Sequence, residues 1–143
     1  MRSIVNNLKR QHLELTRITM ALVPLFDAAP LSRDASEVRR HLQALTGVLR
    51  VHISMEDRSF YPSLLQHRDA ELRELARDFL ARRDQIQTTY FDFLGRWMEP
   101  RQIEHDASRF IAEARDVLFT LGQRMVQEDK EFHPLIVQRW ETL

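Results

Sequence analysis

Cysteine is absent from the 143 residues, which excludes disulfides, thiolate metal sites, iron–sulfur clusters and cysteine nucleophiles. Glycine and proline are scarce, at three and five residues, so turns must be few. Gly47, Gly95 and Gly122 stand isolated, and no glycine-rich phosphate loop is formed. Charge of one sign is not in excess either: 21 basic and 21 acidic side chains leave no cationic footprint for nucleic acid. No apolar run reaches the length of a membrane span, and no N-terminal apolar segment resembles an export signal, so a cytoplasmic protein is expected. Nor does any window alternate convincingly like a strand. Of the basic residues only Lys9 and Lys130 are lysine, a bias of composition and not a site.

What is present is helical spacing. Ile4, Val5, Leu8, His12, Leu15, Ile18 and Leu22 recur at intervals of three and four until Pro24 and the stretch Asp27–Pro30 interrupt them. Asp34 with Glu37 reads as a capping box opening a second stripe, Val38, His41, Leu42, Leu45, Val48, Leu49, His52, Met55 and Glu56, which Pro62 is expected to end. The third runs from Leu72 through Phe79, Ile86 and Tyr90 to Leu94. The fourth opens at Pro100 and carries Ile103, Phe110, Leu118, Leu121, Met125, Glu128 and Phe132, extending toward Trp140. Four helices of about 25–30 residues, each roughly 40 Å long, joined by short connections, predict an all-α fold. The simplest packing is an antiparallel up-down-up-down four-helix bundle forming one domain over residues 1–143.

A repeat crosses this pattern. Glu56-Asp57-Arg58-Ser59-Phe60-Tyr61-Pro62 is echoed by Glu128-Asp129-Lys130-Glu131-Phe132-His133-Pro134, at an offset of 128 − 56 = 72 residues. Five of seven positions match if Arg58 is counted with Lys130, and Leu64 is echoed by Ile136, as expected of two helical hairpins related by duplication.

The chemistry lies on the apolar faces. His52 and Glu56 are four apart, one turn along a stripe that also holds Leu45 and Leu49. Glu128 follows Leu121 and Met125, and His12 lies between Leu8 and Leu15. An ionised glutamate inside a bundle is destabilising by several kcal/mol unless a cation or strong donors compensate it. Inward carboxylates facing imidazoles are how bundles build metal sites.

Leu8-Lys9-Arg10-Gln11-His12-Leu13-Glu14-Leu15, together with His52-Ile53-Ser54-Met55-Glu56 through Phe60-Tyr61-Pro62, resembles the hemerythrin-like, HHE cation-binding family. The resemblance covers essentially the whole chain. It implies a four-helix bundle whose members hold a non-haem di-iron centre with histidines on all four helices and two bridging carboxylates. By position, it implies that His12 and His52 are nitrogen ligands of one iron and that Glu56 and Glu128 are the bridges. Family centres bind dioxygen, sense oxygen or nitric oxide, or handle iron.

The second iron is where this chain departs. Arg124 stands four residues before Glu128, where the family has histidine, and no histidine lies between His67 and His105. On the third helix the counterpart of His12 is Asp84 by the repeat offset and Arg83 by the local pattern. Arginine has no lone pair for a metal but supplies the positive charge that inward carboxylates need. One half-site is therefore expected to be an ion-pair network and the other to hold a single Fe or Zn ion, with a diatomic gas as its ligand. The rival expectation is a metal-free regulatory module acting on a protein partner, weakly similar to bacterial regulators of the primary sigma factor. A catalytic role is not expected, since bundle oxidases use Glu-x-x-His pairs and Glu56 and Glu128 are followed at that spacing by Ser59 and Glu131.

The remaining histidines have plainer readings. His41 is about 16 Å up the helix from His52 and reads as a polar core or interface residue, while His67, His105 and His133 read as surface or capping residues. Tyr90, Trp97 and Trp140 read as packing, and apolar residues such as Phe91, Trp97 and Phe119 suggest a homodimer.

Overall fold

The computed structural model describes residues 1–142, and among them every regular element is helical. Helix α1 (Arg2–Leu22) ends in a short 3₁₀ turn at Pro24, and α2 (Ala28–Leu31) is a single turn in the first connection. The second rod is α3 (Ser36–Met55) followed by α4 (Tyr61–Leu65), and the third is α5 (Ala70–Arg96). A short α6 (Pro100–His105) leads into the fourth rod, α7 (Ala107–Gln127) followed by α8 (His133–Thr142). Contacts along the rods fix their directions. Arg96 near the end of α5 meets Glu113 near the start of α7 at 2.7 Å. Arg139 of α8 pairs with Asp69 at the start of α5, and Arg2 meets Glu141 at 2.7 Å. Neighbouring rods thus run antiparallel. The Ala35 amide, donating to Glu104 at 2.8 Å, brings the starts of the second and fourth rods to the same end.

Three boundary expectations are corrected. The Asp34–Glu37 capping box does not form: α3 starts at Ser36, whose N–H donates to Asp34 Oδ1 at 2.9 Å, so the aspartate makes a tight local turn and leaves the box unmade. A reciprocal helix-start contact appears instead at Glu99, whose N–H donates to Gln102 Oε1 at 3.0 Å. The fourth helix is interrupted at Asp106, where the backbone leaves helical geometry.

Pro62 does not end the second helix. Residues Glu56–Phe60 form a π turn, after which α4 carries Pro62 in its first turn. The fourth rod does the same, with a π turn over Glu128–Phe132 and Pro134 following it. A proline lacks the N–H an α-helix needs and clashes with the carbonyl four residues back. Widening the preceding turn places it where no donor is required, and the rod continues.

The core is divided. One cluster holds Leu15, Leu22, Leu42, Leu45, Tyr90, Phe93 and Phe110, and the other holds Leu8, Phe60, Tyr61, Phe79, Phe132 and Ile136. Buried His12, His52, Glu56, Arg124, Glu128 and His133 form a polar layer where the two clusters meet.

Candidate metal centre

The polar layer is presented by side chains of all four rods, with the two π turns supplying Glu56 and Glu128. His12 projects from the core stripe of α1 and His52 from the last turn of α3, with ring centroids 4.7 Å apart. His12 Nε2 stands 3.2 Å from Glu128 Oε1. One ligand atom each from His12, His52 and Glu128 falls within 4.8 Å of the others, so the three form a cluster able to hold an ion. Atoms bound to one ion at about 2.1 Å lie roughly 3 Å apart, the separation His12 and Glu128 already have. Glu56 is adjacent but not part of that cluster: its Oε2 is 3.7 Å from His52 Nε2.

The outer nitrogens are anchored. His12 Nδ1–H donates to Asp129 Oδ1 at 2.9 Å and His52 Nδ1–H to Gln11 Oε1 at 2.7 Å. Gln11 is itself oriented by its amide nitrogen, 3.7 Å from the Met55 sulfur. Such outer bonds hold an imidazole with its other nitrogen free for a metal. His12 Nε2, Glu56 Oε2 and both ring nitrogens of His133 are buried without a hydrogen-bond partner, the His12–Glu128 contact being close but misaligned. Buried polar atoms left unpaired are destabilising, and a cation beside them, displacing the His12 proton, relieves that. The donor set therefore fits a metal.

The other half is occupied by guanidinium groups. Arg83 faces inward, its Nη1 3.5 Å from Glu56 Oε1 and 2.8 Å from Asp57, while Asp84 is exposed and bonds the same arginine at 2.8 Å. Arg124 is buried with its Nε 3.3 Å from Glu128 Oε2. It engages that carboxylate through one nitrogen only, because Nη2 donates to the Phe79 carbonyl at 2.7 Å and to Tyr61 OH at 3.2 Å.

Burial depresses the His52 imidazole to about 3, so it is neutral. Burial works against protonated His12 too, but the hydrogen bond to Asp129 and the adjacent Glu128 carboxylate outweigh it and raise His12 to about 9. Burial beside Glu128 pushes the Glu56 carboxyl up. Burial acts in the same direction on Glu128, where His12 and Arg124 reverse it and keep the carboxyl ionised.

His133 is the residue sequence reasoning misplaced. It is 2% exposed and stacks on His12 with centroids 5.8 Å apart, inside the layer and neither on the surface nor at a cap. Five residues after Glu128, an α-helical count turns it about 140° away, whereas the π turn returns it to the same face. The repeat held the signal, since 61 + 72 = 133 pairs it with buried Tyr61. Asp129 and Gln11 carried no sequence signal. His67 does cap, accepting the Asp69 N–H at 3.1 Å, and packs against Trp140. His41 is half-exposed, its Nδ1 2.8 Å from the Glu37 carbonyl oxygen, and His105 is exposed. Tyr90 is packed and hydrogen-bonded to Thr46 at 2.8 Å.

Fold and site together define a helical bundle with a buried histidine–carboxylate cluster at its middle. The hemerythrin HHE cation binding domain model matches residues 3–136, and the chain belongs to that family. No curated protein and no solved structure matches it. Among the described residues no helix is long and apolar enough to cross a membrane.

Proposed function

We propose that the chain binds a single transition-metal ion, iron or zinc, through His12, His52 and Glu128 and serves in sensing or metal handling without catalysing a reaction. The observation that carries this reading is the convergence of three buried ligand atoms within 4.8 Å, with both imidazoles anchored through their outer nitrogens. Glu56 stands at the edge of the site to complete or balance it. Arg83 and Arg124 occupy the half where a second ion would stand and neutralise the carboxylates there. A cavity of about 30 Å3 borders His52, Glu56 and Glu128 and is walled by Leu15, Leu49, Ile86 and Met125. That is room for one water-sized or diatomic molecule. Arg83, Gln87, Tyr90 and Arg124 also line the cavity; a bound iron would supply the chemistry that meets a diatomic ligand, and these side chains would exclude bulk water from it.

A second reading rests on one observation. Protonated His12 bridges Glu128 and Asp129, so with Arg83 and Arg124 the layer is charge-compensated without metal, as a metal-free module acting on a protein partner requires. Elemental analysis of protein from iron-replete cells separates the two. The proposal expects about one ion per chain, lost in His52→Ala. Two ions per chain would refute the half-site, and none in the unaltered protein would favour the metal-free module.

A further inference from the structure

Two of the apolar residues that suggest a homodimer are packed within their own chain. Trp97 is buried, and Phe91 is half-buried beneath the Arg50 guanidinium. Phe119 is not: it is 65% exposed, as is Leu13, with Val23 and Val126 also open. These residues form a pattern. Leu13, Thr16 and Met20 on α1 and Val23 in the turn that follows it are spaced three, four, three; Arg115, Phe119, Gly122 and Val126 on α7 are spaced four, three, four. Each is a coiled-coil seam set one residue round from the helix's own core stripe. Except for exposed Met20, these residues line one open groove of about 760 Å3 between α1 and α7.

We infer that this groove is an interface between two copies of the chain, related by a two-fold axis passing near Gly122. Self-complementarity argues for a second copy over a different partner. In an isologous contact the two α7 helices cross antiparallel, so what lies toward one end of the seam meets what lies toward the other end on the partner. Phe119 then faces the partner's Val126 across Gly122, whose missing Cβ would touch nothing within its own chain and leaves a notch for the approach. Arg115 comes level with the partner's Lys130 and Glu131; Arg115 and Glu131, both exposed, make no ion pair among the described residues and are brought within reach of one another. The strip is about 22 Å long and two helix diameters, about 20 Å, wide. That is about 440 Å2 from each chain, below the standard range of specific interfaces, so a weak dimer that forms toward the upper end of the micromolar range is expected. The contact covers the groove onto which His12 and Asp129 open, so dimerisation closes the solvent side of the polar layer.

Sedimentation of the full chain from micromolar to millimolar concentration tests this independently of any metal. The expected result is a concentration-dependent shift toward about 34 kDa, twice the 17.0 kDa chain. Phe119→Glu is expected to leave only monomer with an unchanged circular dichroism spectrum. Arg115→Glu and Glu131→Arg are each expected to weaken association about tenfold, and the double reversal to restore it. A chain that stays monomeric at millimolar concentration, or a dimer indifferent to Phe119→Glu, would overturn the inference. So would a double reversal no better than either single change.

Discussion

The protonation of His12 decides what a metal ion must do on arrival. In the metal-free protein its Nδ1–H is held by Asp129 and its Nε2 faces Glu128, and the pair raises the imidazole to about 9. A metal competes with a proton for Nε2. His52, already neutral, has none to lose. Titrating Zn2+ into chelator-treated protein near neutral pH, with an indicator dye in weak buffer, is therefore expected to release about one proton per ion bound. Asp129→Asn removes one of the carboxylates that stabilise the imidazolium and is expected to lower that yield. Binding without any proton release would show that His12 is not a ligand. None of this coupling was legible in the sequence: Asp129 reads there only as one acidic residue in a charged repeat. It becomes a partner of His12 because two rods 117 residues apart in sequence are packed side by side.

At the scale of the element, the two π turns organise the site. Each begins at an inward glutamate and ends two residues before a proline, and each turns the ring-bearing pair at its end, Phe60-Tyr61 or Phe132-His133, into the bundle. The repeat made both segments visible, but a period of 3.6 misdirected everything after the glutamates, so His133 reads as surface and Pro62 as a terminus. Phe132 shows what this re-aiming does for packing. It is stacked on Phe79 at 3.9 Å and meets the edge of Phe60 at 5.7 Å. Phe132→Ala is expected to destabilise the chain by about 3–5 kcal/mol in urea unfolding, because it opens a cavity in the smaller core cluster. Exposed Phe119→Ala, measured in dilute monomeric protein, should change stability by less than about 0.5 kcal/mol. Equal effects at the two positions would mean that the Phe132 stack does not hold that end of the bundle.

Across the whole molecule, four stripes of apolar residues with few breakers made the bundle legible, because helix number, length and short connections leave little topological choice. The division of its core was half legible. His12, His52, Glu56 and Glu128 sit on the stripes themselves, whereas the choice between Arg83 and Asp84 depends on how α5 is rotated, which packing alone decides. That division makes the stability of the metal-free fold depend on pH in a determined direction. His12 is raised from 6.5 to about 9, so it contributes stability below the lower value that is lost as pH rises toward the upper. Glu56 is also raised, so its ionisation inside the bundle opposes folding over the same direction of change. His52 acts the other way: depressed from 6.5 to about 3, it makes the unfolded chain the better proton acceptor, and stability falls as pH drops below 6.5. Glu56 offsets that loss in mildly acid solution, and at lower pH the depressed Glu128 and Asp129 carboxyls add to it, so stability is level just below neutrality and falls further down. Thermal unfolding of chelator-treated protein should give the highest Tm near pH 6–7 and a clear decline by pH 9. His12→Gln, which removes the group lost on that limb, should flatten it at the expense of a lower maximum. A Tm that holds level or climbs between neutrality and pH 9 would mean that the His12 imidazolium is not what ties α1 to the second π turn.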